Sequence, residues 1–199
     1  MTQNRPIIGV TGITGSGTST VADILAENGG FVCRADAIAH ELMRKGEPAH
    51  GEIVDTFGTE ILDENGEINR RVLGARVFGE NKDALTKLEA IIHPRVIEQT
   101  RAFIAAASGE YSFAVIDAPL LIESGMNKMC DTCWLVTAPD DVRLERIIAR
   151  DGISREAAER RLKSRSGDDA LRSYADFIIE NDGDIPTLRE KIVAKLELL

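Results

Sequence analysis

Gly12-Ile13-Thr14-Gly15-Ser16-Gly17-Thr18-Ser19-Thr20 is the stretch whose residue types and spacing most clearly suit a chemistry. Gly12, Gly15 and Gly17 allow backbone dihedrals that an L-residue resists, so neighbouring N–H groups can converge on one anion. A helix starting directly after such a loop adds the positive end of its dipole, and the two together cradle phosphate oxygens. Ser19 holds the position whose hydroxyl ordinarily reaches Mg2+. The same pattern calls for lysine at position 18, where this chain has Thr18. A threonine hydroxyl donates one hydrogen bond but carries no charge, and losing one preorganised donor of this sort costs about 10²–10³ in rate. The stretch therefore predicts phosphate binding more firmly than phosphoryl transfer. A glycine turn in some other α/β protein is the competing reading.

Other cations could make good the missing charge. Arg143, Arg146 and Arg150 fall at i, i+3 and i+7, on one helical face. Arg155, Arg160, Arg161, Lys163 and Arg165 follow closely. One reading closes these guanidinium groups over a triphosphate, with Arg150 and Arg165 in catalytic roles. The other is a solvated face balanced by Asp151, Glu156 and Glu159. Arg34, at the end of a predicted strand, is a further candidate. Cys130 and Cys133 form a lone CxxC with no second pair for zinc, and Cys133 begins a predicted strand rather than a helix. A buried structural role is expected of the cysteines.

These residues need a scaffold. Pro6 to Gly12 is a short apolar run ending in glycine, as a buried parallel strand does. Thr18 to Asn28 reads as a helix, with Val21, Ile24 and Leu25 on one face and Gly29-Gly30 closing it. Further strands are expected at Phe31 to Ala35, Phe113 to Asp117, Cys133 to Thr137 and Phe177 to Ile179. Helices are expected at Ala37 to Arg44, Gly51 to Phe57, Arg70 to Phe78, Asn81 to Ala107, Asp140 to Arg150, Arg155 to Lys163 and Pro186 to Leu199, with a turn at Asp63 to Gly66. Five strands spaced by helices predict an α/β protein with a parallel sheet covered on both faces. Between the second and third strands runs a long helical excursion, read as an inserted substrate-binding part.

Composition narrows the function classes. The 199 residues carry 24 Lys and Arg against 33 Asp and Glu, a net charge of -9 that disfavours nucleic acid as a partner. No apolar run approaches the roughly 20 residues of a membrane span, so no membrane partner is expected. The N-terminus lacks a signal-peptide pattern, and the expected compartment is the cytoplasm.

Several segments in order resemble the dephospho-coenzyme A kinase family, over nearly the whole chain. Thr11-Gly-Ile-Thr-Gly-Ser-Gly-Thr-Ser-Thr-Val-Ala22 is similar to its glycine loop, and Arg34-Ala-Asp36-Ala-Ile-Ala39 to its D-A-D-x-I-A segment. Phe57-Gly58, the acidic turn at Asp63 to Gly66, Arg70-Arg71, and Ile92-His93-Pro94-Arg95 follow the same order. Asp117-Ala-Pro-Leu-Leu-Ile-Glu123 resembles its D-x-P-L-L-x-E, and Ala175-Asp176 with Asn181-Asp-Gly183 its late segment. The resemblance implies a three-layer P-loop kinase fold with a five-stranded parallel sheet, a helical substrate-binding insertion at 37–107, a lid at 151–172, and a core of 1–36, 108–150 and 173–199. It implies ATP and Mg2+, with dephospho-CoA phosphorylated on its ribose 3′-hydroxyl. Asp36 would accept the hydroxyl proton, or merely cap the helix expected to begin at Ala37. Ser19 and Asp117 would hold the metal, residues 12–20 the nucleotide, and Asp36, His93, Pro119 and Leu120 the acceptor. His93, before a proline near an expected helix break, has a structural reading as well.

The chain departs from the family pattern at Thr18, at Arg34 in place of the first aspartate, and in the lid, where the family's Q-M-P segment with acidic residues and a lysine after it is Arg165-Ser-Gly167, then Asp168-Asp169 and Leu171. Two other readings therefore accompany the kinase: a catalytically weakened nucleotide- or CoA-binding relative, and a kinase for another small hydroxyl substrate.

Overall fold

Ile7, Ile8 and Val10 give the first strand an apolar run on both faces, which only a sheet covered on both sides can accommodate. A computed structural model describes residues 5–78, 82–107, 109–163 and 168–199. The chain runs β1 (Ile7–Gly12), α1 (Thr18–Glu27), β2 (Gly30–Arg34), α2 (Ala35–Leu42), α3 (Pro48–Phe57), α4 (Arg70–Val77) and α5 (Lys82–Ala106). It continues through β3 (Phe113–Asp117), β4 (Thr132–Thr137), α6 (Asp140–Asp151), α7 (Arg155–Lys163), α8 (Asp168–Arg172), β5 (Phe177–Glu180) and α9 (Ile185–Leu196). The five strands form one parallel sheet in the order β2-β3-β1-β4-β5. Ile8 pairs with Val115 on one side of β1 and with Thr132 on the other, so β1 is central.

Two compact units emerge. The first joins Met1–Cys33 to Ala107–Leu199 and contains β1, β3, β4, β5, α1 and α6–α9. Its core sets Ile8 and Val10 of β1 against Val21, Ile24 and Leu25 of α1 and Leu188 and Ile192 of α9. Burying each such side chain stabilises by about 1.5–3 kcal/mol, which is why α1 cannot drift from the sheet that ends in the glycine loop. On the opposite face, a Cβ at Gly9 would meet Cys130 Sγ and Leu121 Cδ2 at 2.7 Å. Glycine there makes room for the segment after β3 to cover β1.

The second unit, Arg34–Ala106, is helical: α2, α3 and α4 pack along α5 through Leu42, Ile53, Phe57, Leu73, Val77, Ile92 and Val96. Asp63 Oδ1 accepts the amide protons of Asn65 and Glu67 at 2.9 and 3.0 Å, making the expected acidic turn. Asn69 caps α4 by accepting from Arg71 N–H and Val72 N–H. The helix break expected at His93-Pro94 does not occur, because α5 continues through Pro94. Pro94 cannot donate to the carbonyl four residues back; one residue on, the Arg95 guanidinium reaches back to Ile91 O at 2.6 Å and pairs with Glu52.

Candidate active site

The glycine loop is shaped by close approaches. A Cβ at Gly12 would lie 2.5 Å from Ser16 Oγ and 2.6 Å from the β4 carbonyl of Val136. Ser16 N–H closes a turn onto Ile13 O at 3.0 Å, with Gly15 at φ +83°. Gly17, at φ +93°, is the residue before α1. Both angles lie where L side chains are strained, so the glycines are structural necessities.

Beyond Gly17 the start of α1 is left open. No side chain among the described residues caps it, and its first turn holds no acid. α4 and α9, by contrast, are capped by Asn69 and Asp184. Ser16 Oγ is buried and has no hydrogen-bond partner among the described residues. Unspent donors at a helix N-terminus, an orphaned hydroxyl, and glycines that bring the backbone close fit a phosphate group. Thr18 opens the helix and is half-buried; its methyl would stand 3.0 Å from a Cβ at Gly12. Ser19, one residue on, is exposed.

The carbonyl side of the loop is held from α6 and from the end of β5. Arg143, 4% exposed, donates from Nε to Thr14 O at 2.9 Å and from Nη1 to Asp140 at 2.8 Å. Arg146 Nη1 donates to Ser16 O at 3.3 Å, and Asn181 Nδ2 donates to the same oxygen at 2.8 Å. Arg146 Nη2 reaches Asn181 Oδ1 at 3.1 Å, closing the set. Arg143 and Arg146 had the right spacing in the sequence, but their targets, two backbone oxygens, leave no signature there. Asn181 was legible only as part of a late segment.

Asp117 ends β3 beside Val10 of β1 and is buried; Ala118 N–H donates to Val10 O at 3.1 Å. Thr11 Oγ1 donates to Pro119 O at 3.2 Å, tying the turn after β3 to the strand that feeds the loop. Leu120, half-buried, follows in the same turn, and its carbonyl accepts from Ser124 N–H at 2.9 Å. The loop, Asp117, Pro119 and Leu120 thus share one unit. Ser19 hydroxyl and Asp117 carboxylate are hard oxygen donors of the kind Mg2+ takes alongside phosphate oxygens. Among the described residues no group of three or more His, Cys, Asp and Glu side chains could hold a metal ion.

Asp36 and His93 belong to the other unit. The helix after β2 starts at Ala35, with Arg34 in the position before its first turn but making no side-chain cap, so Asp36 sits exposed inside that turn. The capping role considered for Asp36, on a helix starting at Ala37, does not hold. His93 lies half-buried in the middle of α5. Arg150 is engaged by Asp151, with Nε–Oδ1 2.7 Å and Nη2–Oδ2 3.1 Å, and Arg161 pairs with the same carboxylate. Arg150, with Arg161 adding to it, holds Asp151 below the usual carboxylate range. Arg165 lies outside the described residues. Cys33 and Cys133 are buried, as the structural reading expects, with Cys133 inside β4, whereas Cys130 is only partly buried; the Cys133 hydrogen bond together with burial pushes the Cys130 thiol up.

A family model, dephospho-CoA kinase, matches residues 6–187. The chain is 40% identical to the dephospho-CoA kinase of Carboxydothermus hydrogenoformans, over 96% of this chain and 93% of that one. It is 42% identical to the dephospho-CoA kinase of Fusobacterium nucleatum, with 94% of each covered. Among solved structures, dephospho-CoA kinase from Campylobacter jejuni superposes with a TM-score of 0.65 at 29% identity, covering 96% of this chain and 95% of that one.

Proposed function

The chain belongs to the dephospho-CoA kinase family, and we propose that it transfers the γ-phosphoryl group of ATP to the ribose 3′-hydroxyl of dephospho-CoA, giving CoA and ADP. The observation that carries this reading is the open, acid-free start of α1 behind a glycine loop with an orphaned Ser16 hydroxyl, in a chain matching the family from residue 6 to 187.

In the transfer, the acceptor oxygen bonds to the γ-phosphorus while the bond to the β–γ bridging oxygen breaks, and ADP leaves with that electron pair. Asp36 takes the proton of the attacking hydroxyl; a loose transition state asks of it positioning more than basicity. Residues 12–20 hold the nucleotide, their N–H groups stabilising charge that gathers on the phosphates. Arg150, near the end of α6, and Arg165, in the lid at 151–172, supply further positive charge. The segment 37–107 serves the acceptor through His93, with Asp36 just before it as a second contact, and Pro119 and Leu120 contribute from the turn after β3. Mg2+ would be held by Ser19 and Asp117 with the phosphate oxygens, and it supplies charge neutralisation there. We assign the protein to the cytoplasm on the strength of the family match.

Thr18, in place of lysine, favours one other reading, a nucleotide- or CoA-binding relative with weakened turnover. Coupled ADP release separates the two, with dephospho-CoA as acceptor and adenosine and other nucleosides as controls. Turnover with dephospho-CoA alone is the expected result. Tight nucleotide binding without turnover would establish the weakened relative, and turnover on a different hydroxyl would redirect the substrate.

A further inference from the structure

We propose that Arg143 and Arg146 are positioning residues that supply, through the carbonyls of Thr14 and Ser16, the positive charge this loop lacks at Thr18. The inference rests on the reading of the loop as a triphosphate site. In a trans peptide the C=O of one residue and the N–H of the next point in opposite directions, and no peptide among the described residues is cis. Holding Thr14 O from Arg143 therefore turns the Gly15 N–H away from α6, and holding Ser16 O from Arg146 and Asn181 does the same for Gly17 N–H. Two alternate peptides of the cradle are thereby locked in one orientation before any ligand arrives.

Orientation is half of the effect. A cationic donor on a carbonyl polarises the peptide and strengthens the donor at its other end, as hydrogen bonds in series do. The two guanidinium groups thus act on phosphate oxygens at one remove, where a lysine would act directly. The burial of Arg143 fits this role better than a purely structural one. A guanidinium in a residue that is 4% exposed is costly to desolvate, and Nη2 of Arg143 is buried without a partner among the described residues. Its Asp140 partner is 77% exposed, so solvent weakens that pair and much of the positive charge is left to the loop. The spacing to Gly15 is tight as well: a Cβ there would come 2.9 Å from Arg143 O. Loop and helix are matched at one register.

The test is calorimetric binding of inorganic tripolyphosphate and of ATP, which needs no acceptor and no turnover. Arg143→Gln keeps a donor for Thr14 O but removes the charge, and Arg143→Lys keeps the charge. Arg143→Gln should weaken tripolyphosphate binding about tenfold, the scale of one charge-assisted hydrogen bond, while Arg143→Lys recovers most of it. Adding Thr18→Lys to Arg143→Gln should restore affinity, because the cation then returns at its direct position. Unchanged affinity in a normally melting Arg143→Gln protein would overturn the proposal, and so would a double variant no better than the single one. Where Arg143→Gln does not fold, Arg146→Gln and Arg146→Lys make the same comparison. Failure of the functional reading would show separately, as absent turnover of the unaltered chain on dephospho-CoA with the binding series intact.

Discussion

Asp36 shows what a residue reveals when its place in a helix is known. An exposed carboxylate in the first turn of α2 gains about 0.3–1 kcal/mol from the helix dipole and no more. If that were its whole role, Asp36→Asn would shift stability slightly and leave turnover alone. As the proton acceptor it carries a contribution of about 10²–10⁴ in rate. We expect Asp36→Asn to lower kcat by at least a hundredfold on that scale, with the KM for ATP and the melting temperature nearly unchanged; a kcat within twofold of the unaltered chain would remove Asp36 from the mechanism. At this scale the sequence was most informative where backbone geometry demands a residue type. Gly12, Gly15 and Gly17 were legible because nothing else fits there. Arg143 and Arg146 were visible as a helical face, but a side chain that serves a backbone oxygen looks in sequence like any other cation.

Elements were legible wherever apolar spacing and punctuation agreed. α1, β3, β4 and α7 lie within a residue of expectation, since each is bounded by glycine, proline or a change of period. α2 begins two residues earlier than expected, with Arg34 rather than Asp36 preceding its first turn. α5 keeps its expected bounds to within a residue but lacks the break expected at Pro94, since a proline removes one bond of a packed helix without ending it. The C-terminal end of α6 holds a tension that bears on the lid. An acid there opposes the helix dipole, yet Asp151 closes α6 and engages both Arg150 and Arg161. Its depressed pKa means the pairing is fully present above the ordinary value of 3.8 and is lost only as pH falls through the lower folded-state value. Between pH 5 and 8 acid does not release these arginines, and phosphate oxygens have to compete for them. Asp151→Asn should therefore tighten tripolyphosphate binding by up to about fivefold, the upper range for exposed pairs. The gain should be flat across pH 5 to 8; a gain confined to the acidic end would contradict the pairing.

For the molecule as a whole, the class of fold followed from five apolar runs separated by helices, and the family from the order of short segments. The strand order did not. Nothing in β2 announces that β3 will lie between it and β1, because parallel neighbours are chosen by crossover geometry and packing across the whole sheet. The same is true of Gly9, whose missing side chain makes sense only once Cys130 and Leu121 are seen above it.

The sheet order also sets a timetable. Ile7 meets Ala114 across β1 and β3, and the entire helical unit is threaded between them in the chain. The contacts within α5 are local, whereas closing so long a loop must precede any gain from the β1–β3 ladder. In refolding followed by pulsed hydrogen exchange, amides of α5 should gain protection in an earlier phase than those of β1 and β3. Simultaneous protection would mean that the central strands meet before the intervening helices form. The glycine loop hangs from the end of β1, so nucleotide affinity should appear with the later phase: a new chain would acquire its helices first and its hold on phosphate last.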